Sequence, residues 1–448
     1  MKITKEIVER IEGEATLELE WQNKKISYAK IKFLNYRAIE DILKDKHMLD
    51  SLMITPRVCG ICSHSHVTAT INAIEDSYKN IGIELQLTDK AKYIRELVLN
   101  AEKIQNHIKW FYFLILPELF KINQGKFVNT EPFKDREWFE AQSAITNILK
   151  MGSIFSGQWP HGSYLMSGGV TCDPLQSDIT NAKNLLFSVQ EFCEERLYGC
   201  DIDEFLQIES MSDLMNFDLT LDTSVTIMKE LEFNAIGKSY DRFISFGSYM
   251  NIAKPLKAIK TRVFNANIKF AKESLENSFF KDNKKGFTYS KSAVYKDDFY
   301  EVGPLARLMI SKDPLIRDCH RRCSDSVISR IVARVKEIAI LLKRSSFLLE
   351  NIDIKEKSLK TPKFLPKNIT SQGIGVVEAA RGTLIHKIFV EDGKITKFDI
   401  IPPTVWNLGN GSPKKPSIAQ KAIIGLDSIE KADFVFKSFD ICSVCTTQ

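Results

Sequence analysis

Four cysteines near the two ends of the chain have the types and spacing to hold a metal: Cys59 and Cys62 in RVCGICSHSH (57–66), Cys442 and Cys445 in DICSVCTTQ (440–448). Together they offer four thiolates, a soft, electron-rich set suited to zinc, an iron–sulfur cluster or a thiophilic redox metal. Spacing alone does not choose among these. It does exclude a local staple, because the pairs of compact zinc sites lie roughly 12 to 20 residues apart, whereas positions 62 and 442 are 380 apart. Closing a loop of that length costs about 3 kcal/mol more than closing a ribbon-sized one. The rest of the fold must therefore bring the pairs together.

Pro56 ahead of the first pair and a helical run behind it put Cys59 and Cys62 at a helix N-terminus, where the dipole lowers a thiol pKa. His66, one turn after Cys62, shares its face and is placed to hydrogen-bond a sulfur. His64 lies on another face and reads as a surface or packing residue. The other five cysteines add no further four-thiolate set. Cys193 and Cys200, seven apart on one helical face, read as buried packing thiols. CHRRC (319–323) reads as a basic loop with free thiols, and His107 and His161 read as structural.

The elements that must position these residues are mostly helices. Within the first 35 residues, ATLELEW and KISYAKIKF alternate as a hairpin turning at Gln22 to Lys25. From 36 to 350 a helical period prevails, with amphipathic stretches near 64–83, 89–115, 136–155, 176–198 and 325–350, while 276–300 is a polar loop or excursion. After a Lys- and Pro-bearing joint at 355–367, GIGVVEAARGTLIHKIFVEDGKITKFDIIPP reads as a hairpin turned at Glu391 to Lys394, followed by a helix or two. The predicted fold class is mainly α (α+β). An N-terminal β region (1–35), a helical bundle with the first cysteine pair (36–355) and a C-terminal α+β region with the second (356–448) form one integrated globular unit.

With 448 residues the chain can bury a large core, so no metal is needed to fold it. The 62 basic against 57 acidic residues leave a charge of +5, too small an excess at this length to imply nucleic acid or a membrane surface as partner. FYFLILPELF (111–120) falls short of the ~20 residues a membrane span needs, and the charged N-terminus does not read as an export signal. Nine cysteines, an odd number, point to reduced thiols. A soluble, cytoplasmic protein is expected, at most peripheral to the inner membrane through partners.

RVCGICSHSH and DICSVCTTQ resemble, in order and at opposite ends, the two signature motifs of nickel–iron hydrogenase large subunits, Arg-x-Cys-Gly-x-Cys-x-x-x-His and Asp-Pro-Cys-x-x-Cys-x-x-His. RIEGE (10–14), YRAIE (36–40), GQWPHGSYLMSGGV (157–170), EVGPLARL (301–308), EAARGTLIH (378–386) and PTVWN (403–407) follow in family order. The resemblance covers essentially the whole chain. It implies the hydrogenase large-subunit fold, a long-helix bundle around nickel bound by Cys59, Cys62, Cys442 and Cys445. Cys62 and Cys445 would also bridge to an iron carrying carbonyl and cyanide ligands.

The implied reaction is reversible heterolytic cleavage of dihydrogen, which needs a base beside the metal. The thiolate of Cys442 and Arg381, which matches the arginine over the metal pair, are implied in that role. Thr404 matches the hydroxyl that bonds an iron-bound cyanide, and Glu12 the first proton-relay carboxylate. Glu40, the backbone carbonyl near Ile400 and the final residue Gln448 match the ligands of a second metal, usually magnesium, whose preference is for hard oxygen ligands.

Several residues depart from the family pattern. Ile441 and Ala380 replace prolines, Asn106 stands for an aspartate near the arginine, and Trp110 for a histidine. Gln448 replaces a terminal histidine, and an amide oxygen suits magnesium where an imidazole would suit iron or zinc.

The resemblance also implies a small subunit carrying iron–sulfur clusters, since this chain has no motif left for an electron wire. A maturation protease is implied if the precursor carries a C-terminal tail, and assembly as a dimer of heterodimers is compatible with the family. Dihydrogen uptake is the first expectation. A dihydrogen-sensing subunit signalling to a kinase is the second, favoured by Ile61, which is bulkier than valine on the gas route. A metal-free scaffold akin to the quinone-site subunit of respiratory complex I is the third, and the four retained thiols argue against it.

Overall fold

The computed structural model describes residues 2–9, 11–123, 131, 133–216, 220–246, 257–259, 263–281, 286–360 and 365–446. Four long helices, Asp89–Trp110, Arg136–Ser156, Gln176–Phe192 and Val327–Asn351, pack in neighbouring pairs at its centre. Apolar residues three and four apart give the first a core face: Ile94, Leu97, Ala101, Ile104 and Ile108 are buried. Each large apolar side chain so placed stabilises the fold by about 1.5–3 kcal/mol. The second helix approaches closely at Gly152, where a Cβ would lie 3.0 Å from that of Ala101. Thr88 starts the first helix, its Oγ1 accepting from Ala91 N at 3.1 Å.

Of three three-stranded antiparallel sheets among the described residues, two contain the hairpins read from the sequence. The N-terminal hairpin is one strand richer than predicted, with Lys2–Val8 pairing to Ala15–Gln22 and that strand to Lys25–Lys32. Charged residues in KITKEIV hide its alternation. The C-terminal hairpin, Gly382–Glu391 with Lys394–Ile401, likewise gains Ser371–Ala379 as a third strand. This sheet lies on the helix Ser63–Asn80 because Gly373 and Gly375 offer no side chain: a Cβ there would stand 2.0 Å from Ala73 O or 1.8 Å from Ala69 O.

Three local expectations are corrected. The 276–300 stretch is not all loop, since Ala271–Ser274 pairs with Ser292–Tyr295. CHRRC closes the helix Pro314–Cys323, which Asp313 caps by accepting from Ile316 N at 3.0 Å. Cys193 and Cys200 do not share a helical face, because the chain leaves the helix through a π-turn and Gly199, at φ 77°. Cys193 is buried and Cys200 half-buried.

The two ends of the chain are laced together. Asn410 accepts from Ile31 N (2.9 Å) and donates to Ile31 O (2.7 Å), and Gln420 Nε2 donates to Ala29 O at 2.6 Å. One apolar cluster runs from Val8 to Ile441. Packing therefore closes the long loop between the cysteine pairs, and the architecture is the mainly helical one predicted, with small antiparallel sheets. Among the described residues no helix is long and apolar enough to cross a membrane.

Candidate metal centre

A 3₁₀ turn at Thr55–Val58, started by Pro56, delivers Cys59 in an extended conformation, and Cys62 immediately precedes the helix Ser63–Asn80. The first two sulfurs thus stand at a helix N-terminus. That terminus is capped from the neighbouring helix: buried Glu102 accepts from His64 N (2.7 Å), Ser65 N (3.0 Å) and the Ser65 hydroxyl. Burial pushes the Glu102 carboxyl up to about 8. His64 packs, buried, against Trp159 and Tyr164.

The second pair comes from the far end of the chain. The helix Ile429–Ser438 stops two residues before Asp440, whose φ of 60° turns the backbone inward. Cys442 precedes, and Cys445 ends, the 3₁₀ turn Ser443–Cys445. Sulfurs of the two pairs alternate in space: Cys59 to Cys442 is 3.5 Å, Cys62 to Cys445 is 3.3 Å and Cys442 to Cys445 is 3.0 Å. All four lie within 4.8 Å of one another and are buried.

These thiols share protons unevenly. Burial pushes Cys442 up, but hydrogen bonds from Cys445, Cys59 and Cys62 and the charge of Arg381 outweigh it, so this thiol falls well below the usual range. Cys62, beside the other three sulfurs and buried, is held well above it. A metal would displace all of these protons, coupling its binding to pH.

Arg381 hangs over the sulfurs from the tight turn between Ser371–Ala379 and Gly382–Glu391. Gly382 (φ 131°) lets that turn press on the backbone of Gly303, where a Cβ would stand 2.7 Å from Gly303 N. Arg381 pairs with Asp440 Oδ1 at 3.0 Å, and Arg334 donates to Asp440 Oδ2 at 2.8 Å. Asn106, oriented to satisfy both neighbours, donates to Asp440 Oδ2 (2.8 Å) and accepts from Arg381 (3.0 Å). Arg334 lies 4.6 Å over the Trp110 ring and donates to His107 Nδ1 at 3.1 Å, while His107 Nε2 meets Glu337 at 2.8 Å. The departures at Asn106 and Trp110 are thus absorbed into a closed buried network.

Beside Cys62 and Cys445 is a small cavity lined by Ala379, Ala380, Arg381, Leu384 and Thr404. Arg381 Nε and Thr404 Oγ1 are buried without a hydrogen-bond partner. Orphaned donors cost about 1–3 kcal/mol each, so this wall suits ligands that accept hydrogen bonds. Four soft donors with two waiting donors alongside fit a thiolate-bound metal pair bearing polar ligands better than a closed structural zinc.

His66 Nε2 stands 3.7 Å from Cys445 Sγ, and its Nδ1 is 3.1 Å from His386 Nε2. Burial pushes His66 down to about 4, so the imidazole is neutral. Glu12 is half-buried at the edge of the site and forms a parallel bridge with Cys442. It lines a cavity of about 280 Å³ with Ile61, Asn106, Arg381 and Asp440.

A second cluster lies apart from the sulfurs. Carboxylate oxygens of Glu40, Glu273 and Asp399 come within 4.8 Å of one another. Lys291 Nζ is 2.7 Å from Glu40 and 3.3 Å from Glu273. With Lys397 Nζ 2.9 Å from Asp399, three carboxylates face two ammoniums, which leaves one negative charge in excess for a cation, and Glu273 Oε1 is buried without a partner. Burial pushes Glu273 up to about 7.

At Ile400 a carbonyl contact was expected. The contact seen is its amide, which donates to Glu40 Oε1 at 2.7 Å, as an outward amide of a sheet-edge strand can. Gln448 and Arg10 lie outside the described residues. Sequence reasoning missed Glu273, Lys291, Asp399, Glu102, Arg334 and His386, whose partners are too distant in sequence to leave a pattern. Two residues carried a signal: Asp440 as the first residue of the second cysteine motif and His386 as the last of EAARGTLIH.

A sequence model of the family described as nickel-dependent hydrogenase matches residues 37–122 and 135–448. The periplasmic NiFeSe hydrogenase large subunit of Desulfomicrobium baculatum is 23% identical over 463 residues, covering 91% of this chain and 86% of that one. The uptake hydrogenase large subunit of Bradyrhizobium diazoefficiens is 24% identical over 544 residues, covering 92% and 89%. The crystal structure of a reduced, active form of the Ni-Fe-Se hydrogenase from Desulfomicrobium baculatum superposes with a TM-score of 0.85 at 22% identity, each chain fully covered. At that identity the superposition speaks for the fold. The family match takes in both cysteine pairs, and this chain belongs to the nickel-dependent hydrogenase family.

Proposed function

We propose that this chain is the catalytic large subunit of a nickel–iron uptake hydrogenase, oxidising dihydrogen to two protons and two electrons. One observation carries the reading: four buried sulfurs from opposite chain ends meet beneath Arg381, next to a wall of unpartnered donors. A bound nickel–iron pair supplies the Lewis acidity that polarises dihydrogen. Cys59, Cys62, Cys442 and Cys445 hold nickel, and Cys62 and Cys445 also hold iron. Arg381 and Thr404 donate to carbonyl and cyanide ligands at no reorganisation cost, because both are already fixed in the fold. The Cys442 thiolate would receive the proton, with Arg381 held protonated beside Asp440 to steady the charge, and Glu12 would pass the proton toward the adjoining cavity. Neutral His66 donates to Cys445 and orients it.

Electrons leave through an iron–sulfur partner subunit. What supports this is that, among the described residues, the only cysteine cluster able to hold a metal is the centre itself. The Glu40, Glu273 and Asp399 cluster takes magnesium. A cytoplasmic setting accords with nine free cysteines.

The infrared spectrum of the purified complex tests the centre. Carbonyl and cyanide stretches with stoichiometric nickel and iron are expected, and zinc in their place overturns the reading. Dihydrogen-driven reduction of an artificial acceptor then separates uptake from sensing. Turnover of about 1–10³ s⁻¹ is expected for an enzyme, and a rate far below it favours the sensory role.

A further inference from the structure

The second cysteine pair has little local structure of its own: Cys442 precedes, and Cys445 ends, a single three-residue 3₁₀ turn, whereas Cys62 precedes an 18-residue helix. Its tie comes from far back in the sequence, at Glu12 and Gly13. Glu12 bridges Cys442, and its carbonyl accepts twice from Ser443, from N at 2.9 Å and from Oγ at 3.1 Å. Ser443 O in turn accepts from Thr446 N (2.9 Å) and Oγ1 (2.6 Å), closing the turn.

Gly13 makes this junction possible. Its φ is 84°, and a Cβ there would fall 2.1 Å from Ser443 Oγ and 2.9 Å from Val444 Cγ1. Any side chain at position 13 forces the Ser443 hydroxyl to rotate off Glu12. The hydroxyl bond is not needed to satisfy the Glu12 carbonyl, which the Ser443 amide already does. It is a second tie on the residue next to Cys442.

We propose that Glu12 and Gly13 form a clasp that holds Ser443, keeps Cys442 and Cys445 in place, and so retains bound nickel, with Gly13 and Ser443 as positioning residues. The inference rests on the nickel reading above. It is independent of proton transfer by Glu12, because the Glu12 backbone rather than its carboxylate makes the ties.

The test is the rate of nickel loss from the purified holoenzyme to excess chelator, followed by elemental analysis. Ser443→Ala removes one hydrogen bond and leaves no polar group orphaned, so loss should run about five-fold faster. Gly13→Ala displaces the hydroxyl and strains the turn, and should lose nickel faster still. Gly82→Ala is the control: φ there is also 84°, yet nothing lies within 4 Å of its Cβ. It carries the same backbone strain without touching the clasp and should match the parent.

Ser443→Ala and Gly13→Ala both losing nickel at the Gly82→Ala rate overturns the clasp. If Gly13→Ala does not fold, Ser443→Ala alone decides. A parent that never holds nickel brings down the nickel reading and the clasp together, whereas a nickel-tight parent with unaffected variants brings down only the clasp.

Discussion

The two halves of the metal centre are built on different terms. Cys59 and Cys62 stand at the start of an 18-residue helix that is capped by Glu102 and clamped against a sheet by two glycines. Cys442 and Cys445 belong to a three-residue 3₁₀ turn close to the end of the chain. The first half rests on a long helix that Glu102 and the sheet hold in place. The second is held by partners from everywhere else: Glu12 on Ser443, and Arg381, Arg334 and Asn106 on Asp440. A site assembled this way should fail differently according to which half is disturbed.

The largest effect should come from the sulfurs themselves. Cys62→Ser and Cys445→Ser, one from each half, should each abolish nickel and iron binding, since a hydroxyl is a poor ligand for soft metals. Normal nickel content in either variant, by elemental analysis, counts against a shared bridging role.

Next in size is Glu12→Gln, which keeps the backbone ties and removes only the titratable group. Metals should stay in place while hydrogen–deuterium exchange slows by about 10²–10⁴-fold. Unchanged exchange takes Glu12 off the proton path.

Glu102→Gln touches only the first half. It sets an NH2 group where a carboxyl oxygen had accepted from the helix amide of His64 or Ser65, costing about 1–3 kcal/mol, read as a lower thermal midpoint. Nickel should remain bound in the folded fraction, and loss of nickel without loss of stability would show that the first pair is less self-supporting than its helix suggests.

The smallest effect is a pH dependence behind the second half. Burial and then the charge of Arg334 hold the His107 imidazole well below 6.5. Below pH 6.5 the unfolded chain takes up a proton that the folded chain refuses, so this contribution is full above 6.5 and is lost as pH falls toward the folded value. Thermal midpoints measured downward from pH 7 should fall, less steeply in His107→Asn. Equal slopes assign the acid sensitivity elsewhere.

The same contrast separates what was legible from what was not. The helical body and both hairpins follow from periodicity, which is local. The strand Lys2–Val8 escaped because lysines and glutamates interrupt its alternation, and CHRRC escaped as a helix because Asp313 and Pro314, its start signals, lie outside the motif. The acidic cluster escaped because Glu40, Glu273 and Asp399 carry no spacing that relates them.

The sequence by itself determined the ligand types, their order and the family, since residue chemistry and motif spacing are written along the chain. Only the tertiary structure decided that Cys59 meets Cys442 and Cys62 meets Cys445, that Asp440 binds two arginines, and that Lys291 joins Glu40 to Glu273. Coordination and hydrogen bonding act over a few ångströms. Between groups as far as 383 positions apart, such distances are set by packing alone.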